Sequence, residues 1–117
     1  MQINERTLAG LTILDLSGRL TIGDGAQLLH DKGASLIFQQ RTQVIVNLAD
    51  VPYIDSGGLG QLVACYSSFA KAGGRLTLAN LNTRNHDLLS ITKLVSVFET
   101  FETEAAAVES YPAEVRA

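Results

Sequence analysis

The sequence predicts a single α/β domain: a mostly parallel β-sheet with one antiparallel edge strand and about four α-helices. Three observations carry this. After an opening strand pair, strand-like and helix-like stretches alternate to the end, the order that produces right-handed βαβ crossovers and a parallel sheet. Val44-Ile45-Val46-Asn47-Leu48 is an almost unbroken apolar run, as expected of a central strand covered on at least one face. Leu59, Leu62, Val63, Tyr66, Phe69 and Ala70 follow the i, i+3, i+4, i+7 pattern of a helix that buries one stripe.

Taken in order, Ile3 to Leu8 and Leu11 to Gly18 read as two strands, and the Ala9-Gly10 pair between them makes an antiparallel hairpin. Arg19 to Gly25 is a glycine-bearing loop, and Asp24 is placed to cap a helix from about Ala26 to Gln39. Gly33 lies inside that helix at a cost of about 1 kcal/mol against alanine, which points to close packing there. The central strand leads through Asp50 to Gly60 into the amphipathic helix, which Ala72-Gly73-Gly74 ends. Arg75 to Ala79 is the next strand, and a helix follows through Asp87 to Ile91. Val95 to Phe98 is expected as a last short strand. A closing helix spans Glu102 to Ser110 with Thr103 as its cap, so the domain occupies residues 1–110 and residues 111–117 form a frayed tail.

The 117 residues suit one domain with one core. With 46% hydrophobic and 18% charged residues, the composition is that of a folded chain rather than a disordered one. A net charge of −3 without any Lys/Arg cluster argues against a nucleic-acid partner. Cys65 is the single cysteine, which excludes an internal disulfide, and its place beside the apolar stripe marks a buried small hydrophobe. No apolar run is long enough to span a bilayer and no leader pattern opens the chain, so the expected setting is the cytoplasm. His30 and His86 stand in polar surroundings, and no His/Cys/Asp cluster has metal-ligand spacing. Gly18, Gly23 and Gly25 match neither phosphate-loop pattern, so no metal or cofactor is expected.

The chemistry concentrates in Asp50-Val51-Pro52-Tyr53-Ile54-Asp55-Ser56-Gly57-Gly58-Leu59-Gly60, where a strand ends and a helix begins. In α/β folds the carboxyl ends of strands are where ligands are met. Ser56 at this point can cap the helix through its Oγ, and the two glycines after it offer no side chain to bar an approaching partner. Asp55-Ser56-Gly57-Gly58 also resembles the stretch around the nucleophile of chymotrypsin-like proteases. That chemistry needs a base and an orienting carboxylate, and neither histidine carries a signature that brings it to Ser56. A hydrolase is therefore the least favoured reading, and the chain is expected not to be an enzyme.

Over nearly its whole length the chain resembles the STAS domains, and among them the free-standing anti-sigma factor antagonists. The residues that carry the likeness are Leu16-Ser17-Gly18-Arg19-Leu20, Val46 to Ser56 with the following Gly57-Gly58-Leu59-Gly60, Gly73-Gly74-Arg75-Leu76, and Leu88 to Leu94 leading to Val97-Phe98. The resemblance implies a STAS-like fold and a protein that binds an anti-sigma factor, itself a serine kinase of the histidine-kinase-like ATPase type, and so releases a sigma factor. It implies phosphorylation at Ser56 as the off-switch, partner contacts at Thr21, Asp24, Tyr53, Asp55, Ser56, Gly57, Gly58 and Leu59, and a monomer or weak dimer. Two positions depart from the family pattern: Gly57 stands where a second Ser or Thr is frequent, and Thr21 where Asp is common. The alternative on the same fold is an interaction module of a stress-signalling assembly or of a lipid or anion transport system.

Overall fold

The computed structural model describes residues 1–116. One sheet contains five strands in chain order: β1 (Gln2–Leu8), β2 (Leu11–Ser17), β3 (Gln43–Asp50), β4 (Arg75–Ala79) and β5 (Thr100–Phe101). β1 runs antiparallel to β2, and every later neighbour is parallel. The helices are α1 (Asp24–Phe38), α2 (Ser56–Lys71), α3 (Thr83–Ile91) and α4 (Glu104–Glu109). The hairpin turn forms as expected, with Ala9 and Gly10 both left-handed at φ 52° and 77°, the backbone a two-residue turn needs.

Sequential strand order fixes the layering. Crossovers that share one hand and step the same way must lie on the same face of the sheet. The core agrees: Leu14, Leu16, Val44, Val46, Leu48, Leu76 and Leu78 pack with Leu29 and Leu36 of α1, Leu62 and Phe69 of α2, and Leu89 of α3. The alternate strand residues Leu11, Ile13, Ile45 and Ala79 face the other way and are covered by Ala107 of α4 and by Tyr111. β3 is thus buried on both faces, which is why its sequence is apolar throughout instead of alternating. Gly33 lets α1 approach α2: a Cβ there would stand 3.2 Å from the Cys65 Sγ. Among the described residues no helix is long and apolar enough to cross a membrane.

Three expectations need correction. Val95 to Phe98 is not a strand. Leu94–Ser96 forms a 3-10 turn entered through Lys93 at φ 61°, and the edge strand is the later pair Thr100–Phe101. Leu94 and Phe98 turn inward at helical spacing while Val95 and Val97 stay exposed, so the apolar period there is four and not two. The Phe98 ring completes the core edge-on to Tyr66, with centroids 5.5 Å apart. Asp24 does not cap α1. It is the first helical residue, and Gly23 at φ 93° holds the cap position without a side-chain bond.

The third correction concerns the C-terminal segment, which is not frayed at its start. Tyr111 is 1% exposed and its hydroxyl donates to the Val44 carbonyl while sharing a 3.2 Å bond with the Thr77 hydroxyl. Arg75 lies over the ring at 4.3 Å and donates to the Ser110 carbonyl at 2.9 Å, and its other nitrogens grip the Glu99 carboxylate. Ala117 lies outside the described residues. Burial, partly offset by the Thr77 bond, pushes the Tyr111 phenol up from 10.0 to about 12. The neutral phenol is the form the fold holds, so its contribution is complete below pH 10 and is lost as pH rises through about 12. Tyr111→Phe should cost about 1–2 kcal/mol at neutral pH. It should also remove the Tyr111 part of the alkaline loss of stability, as read from urea melts between pH 8 and 12.

Candidate functional site

The pairing of β2 with β3 continues past the sheet. A register shift after Asp15 sets Ser17 opposite Asp50, one residue further along β3 than regular pairing would give. Gly18 N–H then donates to the Asp50 carbonyl at 3.0 Å, Leu20 N–H to the Tyr53 carbonyl at 3.0 Å, and Asp55 N–H to the Leu20 carbonyl at 3.2 Å. Leu20, Val51 and Ile54 are buried beneath these bonds. Two loops, 18–22 and 50–55, therefore leave the strand ends as one zipped unit and deliver the start of α2 at a fixed height.

Asp55 completes the unit and corrects the expected cap. Asp55, and not Ser56, is the N-cap of α2: its Oδ1 accepts from Gly58 N–H at 2.8 Å. The same carboxylate takes the Ile22 N–H at 3.1 Å, tying the other loop to the helix start. The Gly58 bond first, then the Ile22 bond, hold the Asp55 carboxyl below its ordinary 3.8, with a smaller pull from Gly57 and from the charge of Arg19. Ser56 is the first helical residue and is exposed, and its hydroxyl makes no hydrogen bond among the described residues.

The glycines serve the interior more than the outside. A Cβ on Gly58 would sit 2.1 Å from the Leu20 carbonyl oxygen, and one on Gly57 would sit 2.5 Å from the Ile22 Cβ. Real Cβ atoms do not approach that closely, so both positions admit the neighbouring loop, and Ile22 occupies the space a side chain at 57 would need. Ile22 itself is 77% exposed beside Ser56.

Of the expected contact residues, Asp55, Ser56 and Gly57 share the start of α2 and meet the neighbouring loop at Ile22, the residue after Thr21, and Asp24 is exposed at the start of α1. Leu59 does not join them. At 6% exposure it turns into the core, as helical spacing with Leu62 requires, and Gly58 is buried under Leu20. The structure adds three residues to the face. Ile22 was legible as an aliphatic side chain in a polar, glycine-rich loop. Arg19 and Arg84 were not: both guanidinium groups lie over the Tyr53 ring, at 4.9 and 4.1 Å from its centroid, brought together from distant parts of the chain. The surface around Ser56 is therefore not the purely acidic patch that Asp50 and Asp55 suggest.

A small α/β domain of sequential parallel strands, presenting an exposed hydroxyl on a rigid helix start, is the class of protein this geometry defines. The chain belongs to the STAS domain family, whose pattern matches residues 2–107. It is 23% identical over 108 residues to the anti-sigma F factor antagonist of Paenibacillus polymyxa, covering 92% of each chain. Its fold superposes on the crystal structure of a candidate anti-sigma factor antagonist from Thermotoga maritima with a TM-score of 0.86 at 26% identity, over 98% of this chain and 95% of the other. It also matches the Bacillus cell fate determinant SpoIIAA in its phosphorylated form, with a TM-score of 0.72 at 20% identity, over 93% and 98% of the two chains.

Two measurements check the local construction. The stability that Asp55 lends through its amide donors is full above pH 3.8 and is lost as pH falls through the lower folded value. The amide resonances of Ile22 and Gly58 should therefore titrate together with a midpoint below 3.8. In Asp55→Ala that titration should vanish and both amides should exchange at least tenfold faster. Gly58→Ala should cost about 1–3 kcal/mol in denaturant melts, because the backbone of Leu20 has to move.

Proposed function

We propose that this chain is an anti-sigma factor antagonist whose docking face is centred on Ser56. The observation that carries the reading is the exposed Ser56 hydroxyl on a helix start that Asp55 and the Leu20–Ile54 bridge hold rigid. The names of the similar proteins support it, as does the likeness to a SpoIIAA structure in a phosphorylated state. The partner is an anti-sigma factor that is also a serine kinase of the histidine-kinase-like ATPase type, and docking displaces a sigma factor from it.

Switching off is a phosphoryl transfer from ATP to the Ser56 Oγ. The Oγ–P bond forms as the bond to ADP breaks, and the serine proton passes to a base on the partner. The chain is substrate and ligand, and the catalytic machinery is the partner's. The reaction takes place in the cytoplasm. The fold tolerates the product because Ser56 holds no internal bond and the first turn of α2 favours negative charge. The partner does not, because 1.5 to 2 added charges, roughly, stand at the centre of the buried contact.

Since Ser56 is not the cap, Ser56→Ala should leave stability within about 0.5 kcal/mol of the parent chain. Ser56→Asp should be neutral or stabilising by about 0.3–1 kcal/mol. Affinity for the anti-sigma factor should fall at least tenfold in Ser56→Asp and stay near the parent value in Ser56→Ala. Incubation with that partner and ATP should add one phosphate to the parent chain by intact mass and none to Ser56→Ala. Equal affinities of the two folded variants would show that charge at this position does not control binding.

A further inference from the structure

Beside the Ser56 face lies an open groove of about 580 Å³ between α3 and the loop after β3, with Ile54, Leu88 and Ile91 among its lining residues. Ile91 is 79% exposed, and Val95 in the 3-10 turn that packs against α3 and Val97 just after it are each 39% exposed. Arg84 belongs to this groove and to the Tyr53 stack at once, so groove and Ser56 face form one continuous surface.

The cations at that junction have no close ion-pair partner among the described residues, and Arg19 acts on Asp55 only at longer range. Arg6, Arg41 and Arg75 each meet a carboxylate within 4 Å. Arg19 and Arg84 meet none among the described residues, although the chain as a whole is acidic. Asp87, one turn on from Arg84 in the groove wall, forms no ion pair with it. The Tyr53 ring supports both cations, and with no carboxylate within 4 Å among the described residues each can receive an anionic group from a ligand. An exposed aliphatic groove next to this pair calls for apolar side chains from the same ligand.

The geometry points to an acidic amphipathic helix of the partner protein as the occupant: apolar side chains over Ile54, Leu88 and Ile91, and carboxylates at Arg84 and Arg19. This deepens the antagonist reading and rests on it for the place of the face. Two arginines in a chain of net charge −3, with Asp50, Asp55 and Asp87 nearby, are too few cations for a nucleic acid or an anionic membrane. A short acidic helix needs no more than two. Its apolar stripe at i, i+3, i+4 and i+7 also offers aliphatic side chains to the open groove.

The test selects phage-displayed 16-residue peptides of unbiased sequence on the immobilised full chain and measures the recovered peptides by fluorescence anisotropy. Selected sequences should be enriched in Asp and Glu, with apolar residues at helical spacing. Arg84→Glu and Ile91→Asp should each weaken the best of them at least tenfold, with melting temperatures near the parent's, since both side chains are exposed. Lys71→Ala, at the opposite end of α2, should leave binding unchanged. Failure to select any binder, neutral or basic binders, or insensitivity to either groove substitution overturns the assignment. So does Arg84-dependent binding of a fluorescent uridine oligomer or of anionic phospholipid vesicles, which would give the cations to another class of ligand. No anti-sigma factor enters the assay, so its failure leaves the Ser56 switch standing. A switch that fails in the partner assay while acidic peptides are still selected would overturn only the antagonist reading.

Discussion

The carboxylate of Asp55 joins two segments that the sheet alone would leave apart. One oxygen closes the first turn of α2 at Gly58, and the same group holds the Ile22 amide of the loop before α1. The surface above is then held together: Ile22 over Gly57, Ser56 beside it, and Tyr53 in contact with two arginines. A side chain that must be met by another protein's active site gains from this, because little ordering entropy remains to be lost on docking. Neutral residues of the same shape would lose the charge-assisted character of both bonds, and with it the grip on the loop.

The sheet supports this arrangement from below by a division of labour between its faces. Three helices cover one face, and the stripe along α1 and α2 fills it with leucines and Phe69. The other face is covered by the short α4, Tyr111 and Val115, with Phe101 of β5 beside them, and several of its strand positions are polar. There Arg6 pairs with Asp15 and Glu104, Glu104 accepts from Asn47 at 3.1 Å, and Asn80 donates to Asn47 at 3.2 Å. These groups are half-exposed, so their worth lies more in holding α4 in register than in net stability.

Most of the fold could be read from the sequence because its signals were local and periodic. The apolar run of β3, the stripe of α2 and the Ala9-Gly10 turn each declare themselves within a few residues. The edge strand could not be read in this way. Val95 to Phe98 is rich in β-branched residues, yet the inward residues are Leu94 and Phe98, which pack with the main core and, for Phe98, edge-on to Tyr66, contacts that lie far off in the sequence. The exposed helix start was legible where it is contiguous, from Asp55 to Gly57. It was misread where a residue's role depends on what lies above it. Gly57 and Gly58 invited an outside visitor in the sequence, whereas the Thr21-Ile22 loop already fills that space. Leu59 followed the motif into the list of contacts although its helical phase sends it inward. Arg19 and Arg84 carry no sequence signal, since 65 residues separate them and only the fold lays them on one ring.

Tyr111 has a bearing on where the cooperative unit ends. The family pattern stops at residue 107 and the last helix at Glu109, so either boundary is a natural place to divide the chain when it is joined to another domain. Both cuts discard a ring that plugs the thinly covered face, and both strip the Val44 carbonyl and the Thr77 hydroxyl of the phenol that meets them. Val44 belongs to the central strand whose far end becomes the Ser56 loop. The anchor that closes one side of the molecule is therefore tied, through a single strand, to the surface displayed at its rim. A chimera that respects secondary structure but severs residue 111 would keep every element and loosen the strand on which its recognition surface is mounted.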